Sequence, residues 1–219
     1  GAEHQLVAEN QQRAQQYFDA VRSANVPNTR IAEATRGAIL ARQADGLTLL
    51  LEQFKQSDER RFAMALTTAR ELGGTATASA LTDQLAAQSP HRQAMILSAL
   101  ADIDDSSVMP QIVEQLNADD PHVQLAAVRA VSKLGDETAV DPLLRLAAAA
   151  DEPIAAAAEE GLENLSGGAV DEALLDRLER ADATTRRIIL RLAGKRRIHA
   201  TEQLAAASRD EEAEVRAAA

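Results

Sequence analysis

The side chains that could do chemistry in this sequence of 219 residues are few: four histidines, scattered carboxylate pairs and one basic run. His91 and His122 stand 31 residues apart, each directly after a proline. On helices packed roughly 10 Å apart they could not share a metal ion held at about 2 Å. With no cysteine there is no thiol nucleophile, no thiolate metal site and no disulfide framework. Paired carboxylates such as Asp104-Asp105 and Asp119-Asp120 fall at expected turns and helix starts, where a backbone role already explains them. Gly-rich phosphate loops, G-x-S-x-G elbows and zincin motifs are absent. No cofactor is therefore expected.

Charge gives the one other chemical signal. Residues 177 to 199 hold eight basic side chains, Arg177, Arg180, Arg186, Arg187, Arg191, Lys195, Arg196 and Arg197, against Glu179 and Asp182. That is +6 in a chain whose total is −11, so the remainder carries −17. The overall sign is wrong for a broad phosphate-binding face, and nucleic acid is not an expected partner. The patch of Arg186, Arg187, Arg191, Lys195, Arg196 and Arg197 has two readings: a dock for an acidic partner or phosphate groups, or pairing with acidic residues of the following repeats such as Glu211, Glu212 and Glu214.

The elements that position these residues follow from composition and period. Alanine and leucine number 47 and 26, one third of the chain, while only Tyr17, Phe18, Phe54 and Phe62 are aromatic. This predicts helix nearly throughout. No apolar run approaches the roughly 20 residues that cross a bilayer, so no membrane is expected. Asp58, Ser89, Asp120, Asp151 and Asp182 recur every 31 residues, and Asp210 follows after 28. Each offers a side-chain oxygen for a helix start. Leu50, Leu81, Ile112, Leu143 and Leu174 form one apolar column, and Phe54, Leu85, Leu116, Ala147 and Leu178 form another four residues on. Ala69, Leu100, Val131 and Leu162, with Leu72, Ile103, Leu134 and Leu165, form an upstream pair. Each unit is thus a helical hairpin, with left-handed turns expected at Gly73-Gly74, Asp104-Asp105, Gly135-Asp136, Gly167-Gly168 and Gly194. The column Gly37, Thr68, Ala99, Ala130, Gly161 stays small, as close helix approach requires.

The unit Asp120-Pro121-His122-Val123-Gln124-Leu125-Ala126-Ala127-Val128-Arg129-Ala130-Val131-Ser132-Lys133-Leu134-Gly135-Asp136 resembles the short bacterial HEAT repeat, with Gln124 where that pattern has arginine. Glu214-Val215-Arg216-Ala217-Ala218-Ala219 is similar to the opening of another copy. The resemblance implies an all-α fold, a right-handed α-α superhelix of about six hairpins with an extra N-terminal helix. Residues 1–27 are expected to cap a single continuous solenoid, 28–219, with units near 28–57, 58–88, 89–119, 120–150, 151–181 and 182–209 and a partial 210–219. The broken last unit predicts that the natural protein continues, and Gly1 reads as a cloning remnant. Arg36-Gly37-Ala38-Ile39-Leu40-Ala41-Arg42 with Ala69-Arg70-Glu71-Leu72 resembles arrays in large secreted bacterial proteins that precede a sugar-active β-sandwich domain. That implies a spacer or docking module outside the cytoplasm. Deoxyhypusine hydroxylase, a HEAT-like di-iron enzyme, uses repeated His-Glu pairs, whereas no histidine here is followed by glutamate. Bilin lyases share the short repeat, but no aromatic-lined pocket is offered here.

HEAT-type solenoids bind along the surface lined by the second helix of each hairpin. Stepping by 31 from the side opposite Leu50 gives Glu52, Asp83, Glu114, Arg145 and Asp176, and stepping from 53 gives Gln53, Gln84, Gln115, Leu146 and Arg177. A third row holds Gln56, Ala87, Ala118, Ala149 and Arg180. The expectation is a shallow groove floored by alanines and edged by acids and amides, broken by Arg145. It suits a basic or amide-rich extended peptide or another domain of the same polypeptide. The role that follows is a non-catalytic scaffold or protein-binding segment, with an enzyme or bilin-lyase-like protein on the same chassis as the alternative.

Overall fold

The computed structural model describes residues 2–149 and 151–218, and side chains over 7–148 and 151–218. Gly1, Ala219 at the end of the partial repeat and the side chain of Ala149 lie outside them. The chain divides into two compact units, Gly1–Gln88 and Ser89–Ala219. No strand occurs among the described residues, and no helix of theirs is long and apolar enough to cross a membrane.

The first unit holds α1 (Ala2–Arg22), α2 (Asn28–Arg42), α3 (Leu47–Phe54), α4 (Glu59–Leu72) and α5 (Gly74–Thr82). Asp58 starts α4 as expected, its carboxylate accepting from the Arg60 backbone N–H at 2.9 Å. Between helices the core is closed by Leu50, Phe54, Phe62, Leu66, Ala69 and Leu81, all essentially inaccessible. The Phe54 and Phe62 rings meet edge to face with centroids 5.2 Å apart, which places two of the four aromatic side chains of the chain beside the α3–α4 turn. The small-residue column does its work at Gly37: a Cβ there would lie 2.4 Å from the Phe18 ring of α1. Across the same hairpin Gln15 donates to the Ala41 carbonyl at 3.0 Å, and Arg42 pairs with Asp19.

The second unit holds α6 (Pro90–Ile103), α7 (Met109–Glu114), α8 (Pro121–Leu134), α9 (Val140–Ala149), α10 (Glu152–Asn164), α11 (Gly168–Leu178), α12 (Ala183–Arg196), α13 (Thr201–Ala207) and α14 (Ala213–Ala218). First helices of the repeats, α6, α8, α10 and α12, alternate with shorter second helices, several entered or left through 3-10 turns at 106–108, 115–117 and 137–139. Ile112, Leu143 and Leu174 from the second helices and Leu100, Val131 and Leu162 from the first are all inaccessible to water, so the apolar columns form the core. Gly161 packs against Ser132, whose Oγ would lie 2.1 Å from an added Cβ.

The helix ends depart from expectation in four places. Asp120 and Asp182 accept backbone N–H bonds as caps and Asp210 accepts from the Glu212 N–H just ahead of α14, but Ser89 and Asp151 make none with their side chains. Pro153, in the second position of α10, removes one of the donors an Asp151 cap would reach; nothing in the structure explains Ser89. Left-handed backbone occurs at Gly73, Gly74, Asp104 and Gly167, but not at Gly135 or Gly194. Gly135 is extended at φ −77, and it is small because an added Cβ would lie 2.5 Å from the Val131 carbonyl oxygen and 2.9 Å from Ala139 Cβ. Gly194 lies inside α12, which runs to Arg196 and turns at Arg197, φ 57. The anchoring of Arg196, described below, holds that extra half turn.

Candidate partner-binding face

The second-helix row predicted from position 52 is exposed throughout. Glu52 on α3 and Asp83 at the end of α5 project to solvent in the first unit, and Glu114, Arg145 and Asp176 do so on α7, α9 and α11 of the second. Each lies two residues after the inaccessible member of the apolar column, about 200° around the helix. Glu52, Asp83, Glu114 and Asp176 make no side-chain ion pair among the described residues, whereas Arg145 donates to Asn117 Oδ1 at 3.2 Å.

The row stepped from position 53 does not belong to the groove edge. Gln53 and Leu146 are buried, and Gln84, Gln115 and Arg177 are half-buried. The cause is geometric: position 53 is three residues after Leu50, and i, i+3 neighbours share a helix face. Gln53 satisfies its amide by donating to the Leu49 carbonyl at 3.2 Å. In the alanine row Ala87 is exposed and Ala118 half-buried, with Gln56 and Arg180 exposed.

Arg177, from that half-buried row, reaches Asp141 at the start of α9. Its Nε and Nη2 donate to the two carboxylate oxygens at 2.6 and 2.8 Å, and Nη1 donates to the Ala173 carbonyl at 3.1 Å. Hydrogen bonding from the guanidinium holds the Asp141 carboxyl below its ordinary range, and the carboxylate in turn raises Arg177 above its own. Together with Asp176, Glu179 and Arg180 the pair borders an open cleft of about 600 Å³. The pair had no sequence signal beyond the composition of the basic run, because its partners are 36 residues apart, off the 31-residue step.

The basic run is largely consumed inside its own unit. Arg186 pairs with Asp210 at 2.7 Å and Arg187 with Glu214, both in the following segment. Arg191 and Lys195 reach back one repeat to Glu159 and Glu163 at 2.6 and 2.7 Å. Arg196, its side chain only 8% exposed, bonds Asp171 at 2.7 Å and donates through Nη1 to the carbonyls of Leu162, Glu163 and Leu165. Those carbonyls end α10 and lack helical partners, so Arg196 acts as a C-terminal cap supplied from the next repeat. Arg197 and Arg180 make no ion pair among the described residues. A further rung, Lys133 to Asp102 at 3.0 Å, links α8 to α6.

His91 and His122 are both exposed in first helical turns. Among the described residues no three of His, Cys, Asp and Glu are grouped to hold a metal ion.

Comparison with known proteins agrees with the fold. Residues 78–163 match the family model for HEAT repeats, and the all-α array of hairpins among the described residues is the fold such repeats build. Comparison with curated proteins gives no match. Among solved structures the chain is similar to human deoxyhypusine hydroxylase in complex with glycerol, with 18% identity and a TM-score of 0.49 over 100% of this chain and 85% of that one.

Proposed function

We propose that the chain is a non-catalytic scaffold segment that binds a basic, extended peptide stretch of a protein through the exposed row on its second helices, or that holds an attached domain of the same polypeptide by the same face. The observation that carries this reading is the contrast between the two charge sets. The arginines and lysine of α12 are spent on neighbouring helices, while Glu52, Asp83, Glu114 and Asp176 stay exposed and without ion pairs among the described residues. Exposed carboxylates that hold no ion pair of their own are available to a partner.

Spacing supports the same partner chemistry. Successive second helices in a stack lie about 10 Å apart, close to three residues of polyproline II chain at about 3.1 Å each, a conformation that presents every third side chain to the same side. Within either unit, a chain in that conformation with lysine or arginine at every third position places one cation over each carboxylate, and in the second unit Arg145 selects for an acid or amide in that register. At such spacing the carboxylates are near one Debye length apart, so the row tolerates its own repulsion in ordinary salt.

The test uses a synthetic peptide of Lys-Ser-Thr repeats with a fluorescent end group, titrated against the wild-type chain at low and moderate salt. Glu52→Lys with Asp83→Lys alters the row in one unit, and Glu114→Lys with Asp176→Lys alters it in the other. Either reversal should weaken peptide binding by about tenfold or more and leave the melting temperature nearly unchanged, since surface charges contribute little to stability. Equal binding by wild type and both variants rejects the reading.

A further inference from the structure

The first unit carries a second feature that the second-helix face does not use. Val7 and Tyr17, both on α1, are the large hydrophobic side chains left exposed among the described residues, at 56% and 66%. Tyr17 meets Phe18 edge to face at 5.6 Å, and beyond it Val21, Ala24 and Val26 continue an apolar lining toward the start of α2. The cleft so formed measures about 530 Å³, and its rim is closed by Arg30 and Glu33.

The charges on that rim are placed against local advantage. Arg30 lies in the first turn of α2, which has no acidic residue and no side-chain cap at Pro27. The positive end of the helix dipole there favours a carboxylate and disfavours a guanidinium. Glu33 follows at i+3, a spacing at which opposite charges can pair along a helix, yet neither side chain makes an ion pair among the described residues. An apolar cleft edged by one free cation and one free anion is self-complementary. Turned by a two-fold axis passing between positions 30 and 33, the rim sets Arg30 of one copy against Glu33 of the other and repeats the contact in reverse, as an isologous interface requires.

We propose that this cleft is the contact between two copies of the chain: a two-fold dimer in which α1 and the start of α2 of each copy pack together, sealed by reciprocal Arg30–Glu33 ion pairs around Tyr17. The occupant is a second copy rather than an unrelated apolar segment, because a copy supplies both missing charges at the matching separation, which an apolar segment does not. Apolar cores with paired polar rims are the usual anatomy of such interfaces.

Sedimentation equilibrium of the full chain, over concentrations up to about 1 mM, tests this directly. The wild type should show a monomer–dimer equilibrium. Arg30→Glu alone and Glu33→Arg alone should each weaken association by about tenfold or more, since each places like charges face to face twice. The double variant Arg30→Glu/Glu33→Arg should recover the wild-type constant, and Tyr17→Ser should weaken it with the charges intact. Circular dichroism melts identify any variant that fails to fold, and the double variant, differing only in charge order, serves as the folded control. A wild type that stays monomeric throughout overturns the proposal and leaves the cleft to a different partner. A dimer indifferent to the single reversals, or one the double variant fails to restore, overturns it as well.

Discussion

Arg196 donates through Nη1 to the carbonyl oxygen of Leu165 at 2.7 Å, and the two residues are one 31-residue step apart. In register, Arg196 continues the column of Leu72, Ile103, Leu134 and Leu165. An arginine thus stands where the earlier repeats place an aliphatic side chain, and it replaces apolar packing with four charge-assisted bonds to Asp171 and the end of α10.

That substitution of one kind of cohesion for another is open to test. Arg196→Met keeps the bulk of the stem but strips three carbonyls and a carboxylate of their donor, and should cost about 2–4 kcal/mol by urea denaturation. Arg196→Lys should fall between, because an ammonium cannot span the same fork. A loss below about 0.5 kcal/mol for the methionine variant shows that the bonds contribute nothing net.

The contact of Gly161 with Ser132 predicts a coupling rather than a single loss. Ser132 is held by donating to the Val128 carbonyl at 2.7 Å, so its Oγ is not free to swing aside without giving up that bond. Gly161→Ala gains about 1 kcal/mol in helix propensity but overpacks the α8–α10 contact, an effect of about 1–3 kcal/mol, and should lower stability. In the Ser132→Ala background the loss should shrink by about 1 kcal/mol. Strictly additive effects across the double-mutant cycle place the strain elsewhere.

Acid sensitivity can be traced to Asp182 at the start of α12. Its carboxylate accepts from the Thr185 backbone N–H at 2.9 Å and from the Thr185 hydroxyl at 3.2 Å, and the backbone bond foremost holds its pKa below the ordinary carboxylate value. A carboxyl depressed on folding stabilises the protein above its unfolded pKa, about 3.9, and that contribution is lost as pH falls through the lower folded value. Asp182→Ala should therefore cost about 1 kcal/mol near neutrality, and the gap between variant and wild type should narrow progressively below about pH 4. Asp182→Asn, which caps without a charge, should show little of this pH dependence. Urea midpoints at several pH values would expose a gap that stays constant, which contradicts the assignment.

Much of this architecture was legible because repetition averages out local ambiguity: Leu50, Leu81, Ile112, Leu143 and Leu174 read as one column, and all five are inaccessible. What escaped the reading depended on neighbours in space. Gln53 is the exception, since its place three residues after Leu50 is itself linear spacing and turns it inward from the groove edge where stepping by 31 puts it. Gly135 looked like a left-handed turn, although its smallness answers to Val131 and Ala139 rather than to backbone conformation. Gly194 looked like a helix end, and α12 passes through it because Arg196 is tied down beyond it. The exposed row at Glu52, Asp83, Glu114 and Asp176 followed from helical angle alone, whereas the Asp141–Arg177 pair could not, since nothing in a linear spacing of 36 announces a bidentate contact.

The short step from Asp182 to Asp210 has a consequence in time rather than in shape. Losing three residues from a 31-residue unit leaves α13 with seven residues, of which Ala207 alone is buried, against eleven residues and four buried side chains in α11. A helix of that length is close to its own nucleus and has little packing to hold it. Its amides should be among the earliest in the second unit to exchange with deuterated solvent, by a local opening that leaves α10 and α12 closed.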